Sequence, residues 1–357
     1  MKSNERIIII GGGLSGLTLA YKLSQQNIKT TVLEASSRIG GRIQTVKGTQ
    51  GTPMELGATW FSDMHPNLNS LIEELGLKKY PQFSRGKSLF QTKSFEPPQE
   101  FLVPESENPS YRIVGGTQML IKALSQKLPP ESLRLNSKVT SITEIGDQLS
   151  VEIANEENEF ADKVILCLPP QLVGSQIKFT PNLPADVSKI LPEVQTWMAG
   201  SIKFVLEYEE PFWRNSGYSG MLYSHCGIVA EMYDHTNFEK NKFGFTGFLN
   251  AGAVSYSKEV REKLVLKQIE ELLGKKALAP ITYKDKLWVD EFVSGGKQLV
   301  QRPHQNNGHP LVQKSYLNEK LYFSGTETSE EFAGYMEGAV ISAFNTLAKL
   351  GFNNKYR

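Results

Sequence analysis

Three glycines, Gly11, Gly13 and Gly16, stand in a G-x-G-x-x-G spacing near the start of the chain, and a carboxylate, Glu34, follows. Those residue types in that order suit a dinucleotide. The first glycine permits a tight turn, the second lets a diphosphate approach the backbone, and the third lets a helix pack closely on a strand. A helix N-terminus behind them offers free amides and the positive end of a dipole. A carboxylate at the end of the second strand accepts from ribose hydroxyls and disfavours a 2′-phosphate. Further on, Gly40-Gly41 bring backbone close to a ligand and Arg42 can neutralise a diphosphate.

The elements needed to position these residues are written around them. Arg6 to Ile10 is a β-branched apolar run that predicts a strand, and "LSGLTLAYKLSQQN" places Leu14, Leu17, Ala20 and Tyr21 at helical spacing. "KTTVLEA" supplies a second buried strand, completing a βαβ unit with a right-handed crossover. Residues 66–77 predict a helix with proline near its start and glycine near its end. From about 80 to 112 the text is irregular and predicts loop and short strands. After it come the helix "GGTQMLIKALSQKL", alternating strands with a turn at Gly146 and Asp147, and the buried strand "DKVILCLPP". Residues 197–250 carry long alternating or aromatic strands, "KEVREKLVLKQIEELLG" is an amphipathic helix, and "KLYFSG" with "GYMEGAVISAFNTLAKLG" forms a last strand and helix.

With 357 residues the chain predicts two domains. Its 39 basic and 38 acidic residues leave a formal charge of +1, which argues against nucleic-acid or membrane-surface binding through bulk charge. Small molecules are the expected partners. Two cysteines, Cys167 and Cys226, give no disulfide framework, and a reducing, cytoplasmic setting fits them. The "MKSNER" start lacks signal-peptide character, and no apolar run reaches the roughly 18 residues of a membrane span, so a soluble protein is expected. His225, Cys226, Asp234 and His235 match no standard ligand spacing, and no metal is expected. Glu231 or His235 is read as a proton acceptor facing the cofactor or as a strand-end residue, and Lys203 as a solvated position on a sheet.

The series "GGGLSGL", "LEASSRIGGRIQT", "ELGATW", "RIVGGTQML", "VILCLPP", "PFW", "SGG" and "YFSGTETSEEFAGYMEGA" runs in the order found in flavin-containing amine oxidases of the monoamine oxidase and polyamine oxidase type. The resemblance spans nearly the whole chain and is most specific at its two ends. It implies FAD over NAD. It implies an α/β fold with a Rossmann-like FAD-binding domain of the GR2-type flavoproteins and a second, mixed-sheet substrate domain. The FAD domain is expected from residues 1–79, 113–189 and 291–357, the substrate domain from 80–112 and 190–290. FAD contacts are implied at Gly11, Gly13, Leu14, Ser15, Gly16, Glu34, Ala35, Gly41, Arg42, Gly57, Ala58, Thr59, Trp60, Val139, Gly325, Thr326, Glu327, Gly334, Tyr335 and Met336. The implied reaction is hydride transfer from the carbon next to an amine nitrogen to flavin N5, followed by reoxidation with dioxygen. Tyr335 matches a ring that flanks the substrate nitrogen, and Trp288 a tryptophan that packs near the flavin, the other reading of Trp288 being plain core.

Four departures from the family qualify this reading. Lys297 stands where monoamine oxidases carry the flavin-tethering cysteine, which implies non-covalent FAD. Gln298 stands at the second substrate-flanking tyrosine, leaving half an aromatic cage unless Trp60, Phe61 or Tyr223 moves in. No lysine occurs between Lys242 and Lys258, the strand region where a family lysine is sought to hold a water at N5, so slow reoxidation or another acceptor is expected. A helical block that roofs the substrate cavity is shortened, which suits a bulky or carrier-attached substrate, or a partner or second copy covering the flavin face. A desaturase, or a flavin-binding subunit of low turnover, is the alternative reading.

Overall fold

The computed structural model describes residues 5–104, 108–289 and 302–352. Its first strand, Ile7–Ile10, pairs in parallel with Lys163–Leu166 on one side and Thr30–Leu33 on the other. Six strands complete this sheet in the order Ser315–Tyr316, Leu321–Phe323, Lys163–Leu166, Ile7–Ile10, Thr30–Leu33 and Leu133–Arg134. Every position of the run Ile7–Ile10 is apolar because both faces are covered. Ile7 and Ile9 join the core formed with helices Leu14–Ser24 and Met336–Lys349. Ile8 and Ile10 join the opposite core, beneath a four-stranded sheet that includes Val139–Ile145 and Gln148–Ile153.

A separate seven-stranded sheet runs Thr282–Leu287, Ile202–Tyr208, Phe243–Leu249, Val229–Asp234, Tyr218–Ser224, Lys87–Gln91 and Gln99–Leu102. It is mixed, because Tyr218–Ser224 and Lys87–Gln91 are parallel within an otherwise antiparallel ladder. The irregular stretch after residue 80 thus supplies the last two strands of this sheet, with Gln99–Leu102 at its edge. The strand Ile202–Tyr208 is buried at all seven positions. Ile202, Phe204, Leu206 and Tyr208 pack with helix Lys258–Leu273, whereas Val205 packs with Met54 and Leu56 from the first part of the chain. Period-two alternation therefore sends Lys203, Val205 and Glu207 toward the segment that carries Met54 and Leu56.

Candidate active site

At the carboxyl ends of Ile7–Ile10 and Thr30–Leu33 the backbone opens into a cleft of about 380 Å³, within the range of small-molecule and cofactor sites. Gly11, Gly13, Leu14, Ser15, Glu34, Ala35, Gly41, Arg42, Ala58, Val139, Gly325, Thr326, Glu327, Gly334, Tyr335 and Met336 line it. Each glycine has a separate reason. Gly11 sits at φ +110, left-handed backbone that disfavours a side chain. A Cβ on Gly16 would lie 2.1 Å from the Gly11 carbonyl oxygen, so the helix packs onto the strand only with glycine there. A Cβ on Gly13 would meet no atom within 4 Å. That open cradle at the N-terminus of helix Leu14–Ser24 fits a diphosphate.

The polar groups around the cradle are held in place by one another. Gly12 N–H donates to Glu34 Oε2 at 2.7 Å, and the Ser36 amide and hydroxyl donate to Oε1 at 2.9 and 2.8 Å. Arg42 donates through both terminal nitrogens to the fully buried Glu327, at 2.6 and 3.0 Å. This paired fork fixes the guanidinium at the cleft wall. Arg38 clamps the turn beneath it, donating to the Gly41 carbonyl at 2.6 Å and the Ile43 carbonyl at 3.1 Å. The Thr326 hydroxyl donates to the Tyr335 carbonyl and accepts from Gly334 N–H, fixing the approach to helix Met336–Lys349.

Gly16, Gly57, Thr59, Trp60 and Trp288 do not line the cleft. Gly57 packs its backbone against the Arg42 carbonyl, where a Cβ would come within 2.3 Å. Trp288 is buried and its indole N–H donates to the Leu56 carbonyl at 2.8 Å. The cleft wall in its neighbourhood is Lys286, whose ammonium sits 4.0 Å over the Trp288 ring. Tyr335 borders the cleft, and its ring lies parallel to His304, which stacks in turn on Trp197 at 4.4 Å. Of the rings expected to complete an aromatic cage, Phe61 is lost to the core, while Trp60 and Tyr223 lie at the seven-stranded sheet. The segment with Ser294, Lys297 and Gln298 lies outside the described residues.

Lys203 corrects the expectation of a solvated position. It is 2% exposed, and Nζ donates to the Gly57 carbonyl at 2.7 Å and to Thr59 Oγ1. Its ammonium lies 4.8 Å from the Trp60 ring and 5.3 Å from Phe248. Burial pushes Lys203 down to about 7; Glu55 opposes that shift and Arg112 adds to it. A buried lysine therefore does stand beside the cleft, supplied by a different strand from the one searched. The strand itself gives no signal for it: Lys203 and Glu207 make its second face look polar, and only the cover from Met54 and Leu56 buries that face.

Behind Lys203 lies a buried polar group of Glu55, Arg112 and His235. Glu55 accepts from the Thr117 amide and the Thr45 hydroxyl, and burial raises its carboxyl. His235 Nε2 accepts from the Glu55 amide at 3.2 Å, which keeps that nitrogen unprotonated. Burial, then the charges of Arg112 and Lys203, hold His235 well below its usual value near 6.5. Its folded value is depressed, so the unfolded chain binds the extra proton first, and stability falls as pH drops below 6.5, by about 1.4 kcal/mol per pH unit. The raised Glu55 carboxyl works in the opposite direction, adding stability as pH falls toward 4.5. Urea midpoints at pH 7.5 and 5.5 should drop for the wild type, and His235→Asn should remove most of that drop.

The fold and cleft define a dinucleotide-binding α/β protein with a buried lysine beside the cleft. The family model described as flavin containing amine oxidoreductase matches residues 14–102 and 90–346, and the chain belongs to that family. The probable flavin-containing monoamine oxidase A of Dictyostelium discoideum is 24% identical over 442 aligned positions, covering 95% of each chain. Those positions exceed the 357 residues here, so this chain is the shorter one. Among solved structures, putrescine oxidase bound to putrescine superposes with a TM-score of 0.84 at 21% identity, covering 97% of this chain and 98% of the other. Cyclohexylamine oxidase from Brevibacterium oxydans gives 0.84 at 20% identity over the same shares. The protein is thus an FAD-dependent amine oxidase-like oxidoreductase.

Proposed function

We propose that this chain oxidises an amine whose reacting nitrogen lies in the space between the cleft, Lys203 and Tyr335, with FAD held by contacts alone and dioxygen as acceptor. The observation that carries this is the buried Lys203, anchored on Gly57 and Thr59 where the substrate sheet meets the cleft. FAD, when bound, supplies the hydride acceptor for the carbon next to nitrogen. Gly13, Arg42 and Glu34 would hold its diphosphate and ribose, and the N-terminus of helix Met336–Lys349 favours negative charge at the ring end.

The chain's own residues do the rest. The Lys203 ammonium, set over the faces of Trp60 and Phe248, repels a second cation and so favours a neutral reacting amine. Lys203, near neutrality in its proton affinity, holds or releases a proton beside that amine, and its charged form stabilises negative charge developing on dioxygen. Trp288 acts by packing, through its bond to Leu56. The desaturase alternative rested on a missing lysine and half an aromatic cage, and it loses the first of these supports.

The proposed domain division is supported by strand pairing, since residues 87–102 and 202–287 build one sheet and the strands flanking Ile7–Ile10 build another. No helix among the described residues is long and apolar enough to cross a membrane. Free Cys167 and Cys226 support a cytoplasmic setting. Acid precipitation should release all the FAD into the supernatant. Flavin retained on the precipitated chain would refute contact-only binding.

A further inference from the structure

Helix Met336–Lys349 begins without a side-chain cap, at the end of the cleft lined by Gly334, Tyr335 and Met336. Its first turn carries one acidic residue, Glu337. An acidic side chain at a helix start ordinarily serves the free amides of its own helix, where the dipole favours it. Glu337 instead turns away from the cleft. Its side chain is fully buried, and both oxygens are committed to a second helix, Pro66–Glu74. Oε1 accepts from the Asn67 amide at 3.0 Å and from Asn67 Nδ2 at 2.7 Å, and Oε2 accepts from the Leu68 amide at 2.7 Å.

Asn67 and Leu68 are the second and third residues of their helix, so these amides have no partner within it. Two positive helix ends therefore meet at one buried carboxylate. Helix starts carry partial charges against its full one, and a net negative field remains beside the cleft. The free amides of Met336–Lys349 favour negative charge at the cleft end, and Glu337, next in sequence to the cleft-lining Met336, opposes them. The approach to this helix is fixed: Gly334 N–H donates to Thr326 Oγ1 at 2.7 Å, and a Cβ on Gly338 would lie 2.3 Å from the Phe332 carbonyl oxygen. The opposite wall is cationic, because strand register sets the buried Lys203 directly against Lys286, which lines the cleft.

We propose that Glu337 is a positioning residue for the flavin end of the cleft, which ties two helix starts together and through its charge lowers the reduction potential of bound FAD. The inference rests on the FAD-dependent amine oxidation read above. Without a fixed anion, the helix start and the two lysines would all favour reduced FAD, and return of its electrons to the acceptor would slow. Glu337 offsets part of that field from a place where it touches neither substrate nor cofactor.

The test measures the reduction potential of bound FAD by equilibration with a reference dye, in wild type, Glu337→Gln and Glu337→Asp. The pH is held at 8, where burial keeps the neighbouring His65 neutral. Glutamine keeps the shape and removes the charge, whereas aspartate keeps the charge and falls short of the Asn67 and Leu68 amides. Glu337→Gln should shift the equilibrium toward reduced FAD by about tenfold or more, about 30 mV for a two-electron couple. Glu337→Asp should stay close to the wild-type potential although its Tm falls. A third variant, Asn67→Ala, takes one donor from the intact carboxylate and should shift the equilibrium toward oxidised FAD. Equal potentials in wild type and Glu337→Gln, or equal shifts in the glutamine and aspartate variants, overturn the inference. Should Glu337→Gln fail to fold, Asn67→Ala decides, and a shift toward reduced FAD or none overturns it. These potentials need no amine, so failure of every amine to bleach the flavin overturns the proposed function separately.

Discussion

Replacing Gly13 by valine is expected to yield a folded protein that carries no flavin. Gly13 has φ −80 and ψ −176, extended backbone that any residue adopts, and a Cβ there meets nothing within 4 Å. Gly13 is the N-cap of the first helix, where valine is less favoured than glycine, so the exchange costs the fold about 1 kcal/mol. The added methyls fill only the cradle, where the diphosphate must approach the amides of the helix start. FAD affinity should fall by at least about 100-fold, about 2.7 kcal/mol, while the apoprotein's Tm falls by only the few degrees that the weaker cap costs. Gly16→Val makes the contrast, because its Cβ would lie 2.1 Å from the Gly11 carbonyl and must separate helix from strand. That variant should lose fold and flavin together. The checks are visible absorbance per protein and thermal melts of apoprotein. Stoichiometric yellow flavin in Gly13→Val would contradict the diphosphate placement.

Lys203→Met should leave flavin bound and slow the return of the reduced protein to its oxidised colour in air by about 100-fold, the usual cost of losing one preorganised electrostatic group. Methionine keeps the length and removes a buried charge, so the fold should tolerate it. Glu55 keeps its bonds from Thr117 and Thr45. The wild-type reoxidation rate should fall as pH rises through about 7, where Lys203 loses its proton, and that dependence should vanish in the variant. Stopped-flow mixing of the reduced protein with oxygenated buffer across pH 6 to 8.5 measures both, the range being about one unit either side of the shifted value or slightly more. An unchanged rate would remove Lys203 from the reaction.

The nucleotide half of the fold was legible because its signals are local. Ile7–Ile10, the glycines and Glu34 state strand, turn, helix and strand within one short stretch, and the sheet pairs them in that register. The substrate side was less legible because its meaning depends on long-range cover. Lys203 alternates with apolar neighbours in a way that reads as a solvated face. That face is instead covered by Met54 to Trp60, from the distant N-terminal part of the chain. The same cover buries Trp288 behind Leu56 and brings Trp60 to Tyr233. Glu231 falls within the strand Val229–Asp234 rather than at its end, and its aromatic neighbours come from strand register, which spacing in one strand cannot reveal.

The most direct measurement is an anaerobic titration of the purified yellow protein with a panel of amines, following the flavin's visible absorbance. At least one amine should bleach the flavin completely, and admitting air should restore the colour. A preparation without FAD, or FAD that stays oxidised with every amine and is reduced by an unsaturable non-amine, would contradict the account.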